Sequence, residues 1–598
     1  MTGYPEHRGN SPAKAWVRAL EMTAPIAQNP SVTLPLVIEN LADRFDSALA
    51  LLSDRESLTY RGLAERSNQY AHWALEQGLL RGDVVCLIMP NCPEYMAVWL
   101  GITRIGGTVS LVNTNLSGEA LAHSINIVAP KHVIVGAELA DTFAAVRPQL
   151  DAKVHCWVHG ESSRAFRRID EEIRRCPGDR LHSSERQPPS IRDLALYIYT
   201  SGTTGLPKAA KVSHFRVMQW SHWFAGMMDT RRSDRMYNCL PMYHSVGGVV
   251  ATGAALVSGG SVLIRQRFST SRFWDDIVEW DCTLFQYIGE LCRYLINSAP
   301  HPREMEHRIR LCCGNGLRPD VWEEFKHRFH IPQILEFYAA TEGNFSLYNC
   351  EGKPGAVGRI PSFLAHRLPV VLIKCDVKTG EPVRSSEEFC IPCSANETGE
   401  AIGKILDEDS GRGSEFEGYT DKDASDRKVL RSVFVKGDAW FRTGDLMRKD
   451  ERGYFYFVDR VGDTFRWKGE NVSTTEVAES ISACPGVIEA VVYGVTIPGT
   501  EGRAGMAAVV ASRDFDMVKF RRHLAVRLPE YARPLFLRIR QELEMTATFK
   551  PKKQDLSREG YDPAVTADAI YFNDRISQSF VRVDAILYER IQIGKVWL

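Results

Sequence analysis

The sequence lacks a surplus of either charge. Its 598 residues carry 73 Lys and Arg against 74 Asp and Glu, which gives a formal net charge of −1. Proteins that bind nucleic acid through bulk positive charge are strongly basic. The charge balance therefore argues against that class of function and predicts no nucleic-acid partner, although a local basic patch remains open.

A disulfide framework and a secretory signal are also missing. The 14 cysteines show no repeated spacing, and Cys390 and Cys393 form a single CxxC without a second pair nearby. Zinc sites usually combine two such pairs, or cysteines with histidines. The chain begins without a charged stretch followed by an apolar core. We therefore expect inert thiols in a reducing, cytoplasmic compartment.

Long uninterrupted hydrophobic runs are scarce. The stretch 246–264 carries no charge and approaches the roughly 20 residues that span a bilayer. It contains five glycines, and the pair Gly259 and Gly260 divides it into a predicted helix and a short strand. We predict that it is buried core. Because no internal repeat is evident, solenoids and propellers are excluded.

The pattern that is present alternates helices and strands. From Leu34 onward, apolar strands such as 84–89 and 131–135 alternate with amphipathic helices such as 93–105, which predicts parallel sheets with helices on their faces. Residues 366–460 have shorter strands and more glycine. We therefore predict an α/β protein with an arm at 1–33, a large domain at 34–460 that includes a β-rich subdomain, and a small α+β domain at 461–598.

Two polar regions stand apart from this alternation. In the predicted arm, residues 15–22 form a short amphipathic patch, which we interpret as a loose segment or a weak contact with a membrane surface. Residues 160–192 are rich in Arg, Glu and Ser, and are expected to form a solvated insertion.

The polar stretch 199–208 follows the buried apolar run 194–198. Two glycines let its backbone turn sharply, and its hydroxyls and lysine supply donors for phosphate oxygens. A Walker A loop would place Lys directly after Gly, whereas Lys208 lies three residues beyond Gly205. The sequence therefore predicts a different phosphate loop, whose ligands are Thr200, Ser201, Gly202, Thr203, Thr204, Gly205 and Lys208.

This ten-residue string resembles the phosphate-binding signature of the adenylate-forming superfamily of acyl-CoA synthetases, luciferases and peptide adenylation domains. Five further stretches match that superfamily in the same order. Residues 465–472, 241–271 and 287–295 resemble one branch in particular, the fatty acid transport proteins and very-long-chain acyl-CoA synthetases, including bacterial relatives.

The resemblance assigns roles within the predicted large domain. His244 would gate or polarise the substrate carboxylate, and Tyr338 would pack on adenine. Thr341 would meet phosphate, and Glu342 would hold Mg²⁺, whose hard oxygen ligands suit triphosphate chemistry. The adenine pocket would be lined by Gly314, Asn315 and Gly316.

Later residues complete the implied site. Asp445 would accept the ribose hydroxyls, Arg460 would contact the nucleotide, and the residues that follow would form a hinge. Many relatives carry Asp or Lys where this chain has Gly462, so the usual side-chain control of that hinge is absent. Lys550 matches the catalytic lysine, although Phe549 replaces the usual Gly before it and Lys552 and Lys553 lie close by.

The resemblance implies an ATP-dependent long- or very-long-chain fatty acid:CoA ligase that uses ATP, Mg²⁺ and coenzyme A. Three alternatives stay open: an acyl-AMP ligase that stops before coenzyme A, a ligase for another carboxylate such as carnitine or a bile acid, and a membrane-associated factor for fatty-acid uptake or binding. Acyl chain length, oligomeric state and peripheral contact with the inner face of the membrane also remain open.

Overall fold

The computed structural model describes residues 11–162, 166–182, 188–200, 206–376, 379–406, 416–468, 470–500, 502–546 and 552–596. The chain forms two compact units. The first comprises Met1–Leu368 and Lys404–Val429, and the second comprises Pro369–Gly403 and Leu430–Leu598. The predicted domain boundary at residue 460 thus falls inside the second unit, where the chain leaves one sheet and enters others.

The helices of the first unit are α1 (Pro12–Gln28), α2 (Leu34–Phe45), α3 (Tyr60–Glu76), α4 (Pro93–Arg104), α5 (Gly118–Asn126), α6 (Ala140–Val146), α7 (Ile169–Glu172), α8 (His214–Met228), α9 (Thr252–Leu256), α10 (Phe273–Glu279), α11 (Gly289–Asn297), α12 (Pro319–Arg328) and α13 (Lys422–Asp426). A π-helix at Ser245–Ala251 precedes α9.

The strands of the first unit are β1 (Leu49–Leu52), β2 (Ser57–Thr59), β3 (Val84–Ile88), β4 (Thr108–Leu111), β5 (His132–Gly136), β6 (His155–His159), β7 (Arg167–Arg168), β8 (Leu194–Thr200), β9 (Lys208–Ser213), β10 (Arg235–Asn238), β11 (Ser261–Ile264), β12 (Leu284–Ile288), β13 (Leu311–Asn315), β14 (Ile334–Ala339), β15 (Ser346–Asn349) and β16 (Gly358–Arg359).

Two largely parallel sheets organise this unit. In the first, the strand order is β7-β6-β5-β3-β4-β8-β9, and β9 alone runs antiparallel to its neighbour. In the second, the strands of this unit follow the order β16-β15-β14-β13-β12-β10-β11-β1-β2, and the pairs from β14 to β1 are parallel. Every residue of β3 and β11 is buried, as expected for strands covered on both faces. The predicted parallel α/β class is therefore confirmed.

The second unit contains the remaining strands. Its strands are β17 (Val370–Ile373), β18 (Thr398–Lys404), β19 (Val429–Arg431), β20 (Ala439–Lys449), β21 (Tyr454–Arg460), β22 (Phe465–Trp467), β23 (Glu470–Val472), β24 (Val487–Val495), β25 (Ala504–Ala511), β26 (Phe536–Arg540), β27 (Ala569–Asp574) and β28 (Ser579–Arg582). Its helices are α14 (Thr474–Ser482), α15 (Met517–Arg527), α16 (Lys553–Glu559) and α17 (Ala585–Gln592). Strands β24 to β28 form one mixed sheet over a buried apolar core.

The predicted loose segment at residues 15–22 is instead part of the docked helix α1. Trp16 is 1% exposed, and its ring makes edge contacts with Trp223 at 5.8 Å and Tyr348 at 5.5 Å. A Cβ at Gly226 of α8 would lie 2.5 Å from the Cα of Ala19. The prediction of a loose segment was wrong because α8 covers the apolar face of the patch.

The stretch 246–264 forms part of the π-helix, α9 and β11, and most of it is buried, as predicted. Across the described ranges, every helix is too short or too polar to traverse a lipid bilayer.

Candidate functional site

The predicted phosphate loop closes an antiparallel hairpin. Strands β8 and β9 pair so that Thr200 lies opposite Lys208. The connection carries Ser201, Gly202, Thr203, Thr204 and Gly205, which lie outside the described residues. The strand ends therefore place a hydroxyl and an ammonium group at the base of the loop.

Most other candidates of the first unit lie beyond the carboxyl ends of adjacent parallel strands. Strands β10, β12, β13 and β14 are consecutive neighbours in the second sheet. The chain leaving β10 carries His244, and β14 leads through Tyr338 to Glu342. Gly314 and Asn315 end β13 and lead to Gly316, and these three residues are called the 314–316 loop below. Ligands of open parallel sheets bind at this edge, so the topology brings these candidates to one edge of a sheet.

The 314–316 loop is held by close backbone packing. A Cβ at Gly314 would lie 2.3 Å from the carbonyl oxygen of Tyr287, and one at Gly289 would lie 1.8 Å from that of Gly316. Gly316 has φ of +75°, which glycine adopts without a Cβ penalty. Asn315 ends β13 opposite Ile288. The loop therefore presents backbone rather than bulky side chains.

A buried carboxyl group anchors the same loop. Glu336 of β14 is 3% exposed, accepts the Leu317 N–H at 3.0 Å and receives the Tyr287 hydroxyl. Burial raises the pKa of Glu336 to about 8, while hydrogen bonds from Tyr287, Leu317 and Gly316 act in the opposite direction. Sequence reasoning missed Glu336, although it lies two residues before the predicted Tyr338.

Thr341 and Glu342 lie in the turn of the β14–β15 hairpin. The last paired residues are Ala339 and Ser346, and the ring of Tyr338 lies 6.0 Å from that of Phe345. A hydrogen bond of 3.1 Å joins the Thr341 hydroxyl to that of Ser245. The turn is thereby tied to the start of the π-helix that follows His244.

A segment from later in the chain completes this part of the site. Residues 418–420 pair with β9: Lys211 donates to the Gly418 carbonyl and Thr420 donates to the Ala209 carbonyl, both at 3.0 Å. Tyr419, only 4% exposed, donates its hydroxyl to Oε1 of Glu342 at 2.8 Å. Burial, and secondarily the nearby Glu342 charge, raises the pKa of Tyr419 well above its ordinary value, so the phenol remains a donor.

Glu342 fits the chemistry expected of a magnesium ligand. Within the described ranges, no cluster of three or more His, Cys, Asp or Glu side chains could hold a metal by itself. Magnesium in phosphoryl-transfer sites is commonly held by one or two carboxylates together with substrate phosphates and water. A single oriented carboxylate beside the Thr341 hydroxyl meets that requirement.

His244 immediately precedes the π-helix, a rare conformation that is frequent at functional sites. Its ring lies 4.7 Å from that of Tyr243, whose hydroxyl accepts from Nδ2 of Asn115 at 3.3 Å. A Cβ at Gly248 would lie 2.2 Å from the Met242 carbonyl oxygen. The π-helix can therefore pack against the segment before His244 only because residue 248 is glycine and has no Cβ.

Asp445 and Arg460 belong to the second unit. They face each other across β20 and β21, with Nε of Arg460 3.5 Å from Oδ1 of Asp445. The side chain of Arg460 is half exposed, at 50%. The structure therefore pairs these two predicted nucleotide ligands with each other.

The predicted hinge begins at a fixed residue. Asp459 is 1% exposed and accepts the Thr474 N–H at 2.6 Å. Beyond it, Gly462 has φ of +95°, and Lys553 donates to Asp463 at 3.0 Å and to the Thr474 hydroxyl at 2.7 Å. Lys550 lies outside the described residues.

Comparison with known proteins agrees with the fold. The sequence pattern of the family described as AMP-binding enzyme matches residues 38–400, more than half of the chain, and that of the AMP-binding enzyme C-terminal domain matches residues 476–550. ATP-bound MatB from Rhodopseudomonas palustris matches with a TM-score of 0.73 over 88% of this chain and 99% of that chain. At 23% sequence identity, this likeness shows the fold alone.

Relatives of known name match over nearly the whole length. Long-chain fatty acid transport protein 1 of Mus musculus is 41% identical over 573 residues, which cover 94% of this chain and 88% of that protein. Long-chain fatty acid transport protein 2 of Rattus norvegicus is 39% identical, with 90% and 87% covered. These matches confirm the resemblance inferred from the sequence motifs. The chain belongs to the AMP-binding enzyme family, within the adenylate-forming superfamily and close to the fatty acid transport proteins.

Proposed function

We propose that the protein is an AMP-forming ligase that joins long- or very-long-chain fatty acids to coenzyme A. The observation that carries the proposal is the oriented Glu342 carboxylate in the β14–β15 turn of an AMP-binding enzyme. The fatty-acid assignment is supported by relatives whose names specify long-chain fatty acids. Long-chain fatty acid transport protein 1 of Mus musculus is 41% identical to this chain.

The reaction has two steps. A carboxylate oxygen of the fatty acid attacks the α-phosphorus of ATP, and the bond to the bridging oxygen breaks as pyrophosphate leaves. The sulfur of coenzyme A, after losing its proton, then attacks the acyl carbon and expels AMP. Adenylation is needed because a free carboxylate resists nucleophilic attack, whereas AMP is a good leaving group.

The residues divide the work of the first step. Thr200, Lys208 and the loop between them would hold the β- and γ-phosphates, and Tyr338 and the 314–316 loop would bind adenine. Glu342 would hold Mg²⁺, oriented by the Tyr419 hydroxyl. When bound, the ion offsets the charge that develops on pyrophosphate.

Other candidates act on the remaining groups. Asp445 would accept the ribose hydroxyls, Arg460 would contact the nucleotide, His244 would polarise the fatty carboxylate, and Lys550 would stabilise charge at the α-phosphate. Rotation about residues 459–462 would then change the orientation of the small domain, so that a different part of it serves the second step. We place the protein in the cytoplasm.

A panel of carboxylic acids from short to very long chains tests the proposal. The panel includes carnitine and a bile acid, and each acid is assayed with ATP and Mg²⁺, with and without coenzyme A. We expect acyl-CoA and AMP to form fastest with long chains. If acyl-AMP accumulated in the presence of coenzyme A, the protein would be an acyl-AMP ligase. If carnitine or the bile acid were turned over faster than the fatty acids, that carboxylate would replace the fatty acid as the assigned substrate.

Two variants test the catalytic roles. Lys550→Ala should abolish most ATP–pyrophosphate exchange, and Glu342→Ala should lose most of its magnesium-dependent ATP use. Unchanged exchange in Lys550→Ala would overturn the role of that lysine. If the double variant had no ligase activity but kept full fatty-acid uptake in cells, the alternative of an uptake or binding factor would replace the ligase as the main function.

A further inference from the structure

We propose that Arg216 is a positioning residue that fixes the backbone on both sides of Glu342 and so aims its carboxylate at the metal–nucleotide complex. This inference rests on the proposed role of Glu342. Arg216 lies in the first turn of α8, outside every motif recognised in the sequence, and only 4% of the residue is exposed.

The guanidinium group of Arg216 spans the turn. Nη1 donates to the carbonyl of Thr341 at 3.0 Å, and Nη2 donates to the carbonyl of Gly343. These two carbonyls flank Glu342 in the chain. The peptide groups on either side of the carboxylate are therefore held by one rigid, planar side chain.

The surroundings of Arg216 keep its charge close to the turn. Its Nε lies 3.8 Å from Oε1 of Glu417, while Glu417 itself accepts the N–H of Ser213 at 2.7 Å and its hydroxyl at 2.6 Å. The guanidinium also stacks at 5.4 Å over Trp220. These contacts hold the buried guanidinium in place beside the turn.

Two separate contacts of the turn depend on the same late segment. Glu417, beside Arg216, immediately precedes the 418–420 segment that pairs with β9, and Tyr419, which donates to Glu342, lies within it. One segment thus supports both the backbone contact through Arg216 and the side-chain contact through Tyr419.

Lysine cannot replace this arrangement. An ammonium group is a compact charge, whereas the guanidinium presents several donors in a fixed plane that can bridge two acceptors. Arg216→Lys therefore keeps the charge but loses the bridge, and Arg216→Met removes both. If positioning is the function, Arg216→Lys should already be strongly impaired.

Arg310 supplies a matched control. Its guanidinium donates to the backbone carbonyls of Met228 at 3.0 Å and Asp229 at 2.9 Å, at the other end of α8. Arg310 also forms a two-point ion pair with the buried Asp234, with Nε 2.8 Å from Oδ1. Arg310→Lys therefore removes a comparable bridge between carbonyls together with this ion pair, away from the β14–β15 turn. Any loss of global stability that follows from such a bridge should appear in both lysine variants.

The test combines three measurements on the full chain: the Kd for a non-hydrolysable ATP analogue at several Mg²⁺ concentrations, backbone amide hydrogen exchange in residues 340–346, and thermal unfolding. For Arg216→Lys we expect the Kd at limiting Mg²⁺ to rise roughly tenfold and amide exchange in the turn to become roughly tenfold faster. Each change corresponds to the loss of about one charge-assisted hydrogen bond. Arg310→Lys should change neither, although its melting temperature should fall at least as far, because it also loses the ion pair with Asp234.

Equal behaviour of the two lysine variants in the Kd and exchange measurements would overturn the proposal. Glu342→Ala, measured in parallel, separates this failure from failure of the proposed function. If Glu342→Ala loses magnesium-dependent binding while Arg216→Lys does not, only positioning by Arg216 is wrong. If Glu342→Ala binds normally, the role of Glu342 is wrong, and with it the aiming proposed for Arg216.

Discussion

The hydroxyl of Tyr419 connects a late segment of the chain to the Glu342 carboxylate, and its ring lies 6.0 Å from the ammonium group of Lys208. Tyr419→Phe removes the hydroxyl and retains the ring. We expect the KM for magnesium–ATP in pyrophosphate exchange to rise about fivefold, since one such hydrogen bond contributes about 1 kcal/mol.

A second buried tyrosine controls for loss of stability. Tyr60 donates its hydroxyl to the carbonyls of Leu256 at 2.9 Å and Gly260 at 2.7 Å. Tyr60→Phe should lower the melting temperature and leave the KM unchanged. If both variants raise the KM equally, the Tyr419 hydroxyl has no specific role in orienting Glu342.

Glu336 makes stability depend on pH. Its pKa rises from an ordinary 4.5 to about 8 on burial, so between these values the folded chain holds a proton that the unfolded chain has lost. The free energy of unfolding contributed by this group is therefore greatest below pH 4.5 and falls as pH rises toward 8, by roughly 1.4 kcal/mol per pH unit at most.

The comparison of Glu336→Gln with the parent protein tests this dependence. Because glutamine does not titrate, chemical denaturation between pH 5 and 8 should show a shallower decline in stability for the variant. The neighbouring groups Tyr287, Cys292 and Cys313 remain uncharged in this window because burial raises their pKa values well above the ordinary ones. Parallel pH profiles would contradict the assignment.

Sequence motifs identified the side chains that we propose contact substrate. They did not identify the side chains that position those residues. Tyr338, Thr341 and Glu342 occur together in one short string, so a local pattern identifies them. Arg216 and Tyr419 reach the same turn from 125 and 77 residues away. Arg216 contacts two backbone carbonyls and Tyr419 contacts a carboxylate, and these partners leave no local sequence pattern that points to either residue.

At the scale of elements, α1 and α8 pack unusually closely at Gly226. An alanine Cβ there would lie 2.5 Å from Cα and 2.6 Å from N of Ala19, and neither backbone atom can move independently of its helix. We expect Gly226→Ala to destabilise the first unit by about 1–3 kcal/mol and to speed proteolysis within α1. Thermal unfolding and limited proteolysis measure the two effects.

Gly62 of α3 provides the contrasting substitution. Its added Cβ would make only ordinary contacts, the nearest at 3.4 Å from Oγ1 of Thr59. Because alanine favours a helix over glycine by about 1 kcal/mol, Gly62→Ala should be neutral or stabilising. If Gly226→Ala behaved in the same way, close packing of α1 on α8 would not contribute to stability.

The strands of the parallel sheets were predictable, but the additions at their edges were not. Continuous apolar runs such as β3 and β11 indicate buried strands by composition alone. The 418–420 segment is polar and short, and it is held by backbone hydrogen bonds to β9. Likewise, the amphipathic pattern of α1 does not distinguish a membrane surface from α8 as the partner of its apolar face.

At the scale of the whole molecule, the proposed ligase must perform two reactions with one nucleotide site. Gly462 has φ of +95°, and a Cβ added there would meet no atom within 4 Å. Alanine at such an angle costs about 1–2 kcal/mol. We expect Gly462→Ala to slow acyl-CoA formation severalfold while ATP–pyrophosphate exchange changes little, because only the second step requires the proposed rotation.

Gly453 tests whether strain alone explains the result. It has φ of +84° in the turn between β20 and β21, and a Cβ added there would lie 3.9 Å from its nearest neighbour, Cε of Lys449. Gly453→Ala should carry a similar backbone cost without changing the ratio of the two half-reaction rates. Equal effects of both alanine variants on that ratio would remove the case for a hinge at Gly462.

The discontinuity of the first unit has a consequence for biosynthesis. During translation the N-terminus leaves the ribosome first. Residues 369–403 belong to the second unit, and the chain returns to the first unit at Lys404–Val429. A nascent chain ending at residue 403 already contains Glu342 but lacks Glu417 and Tyr419. The first unit can therefore be completed only after translation has passed residue 419, so a premature stop before that point leaves β9 without its partner segment.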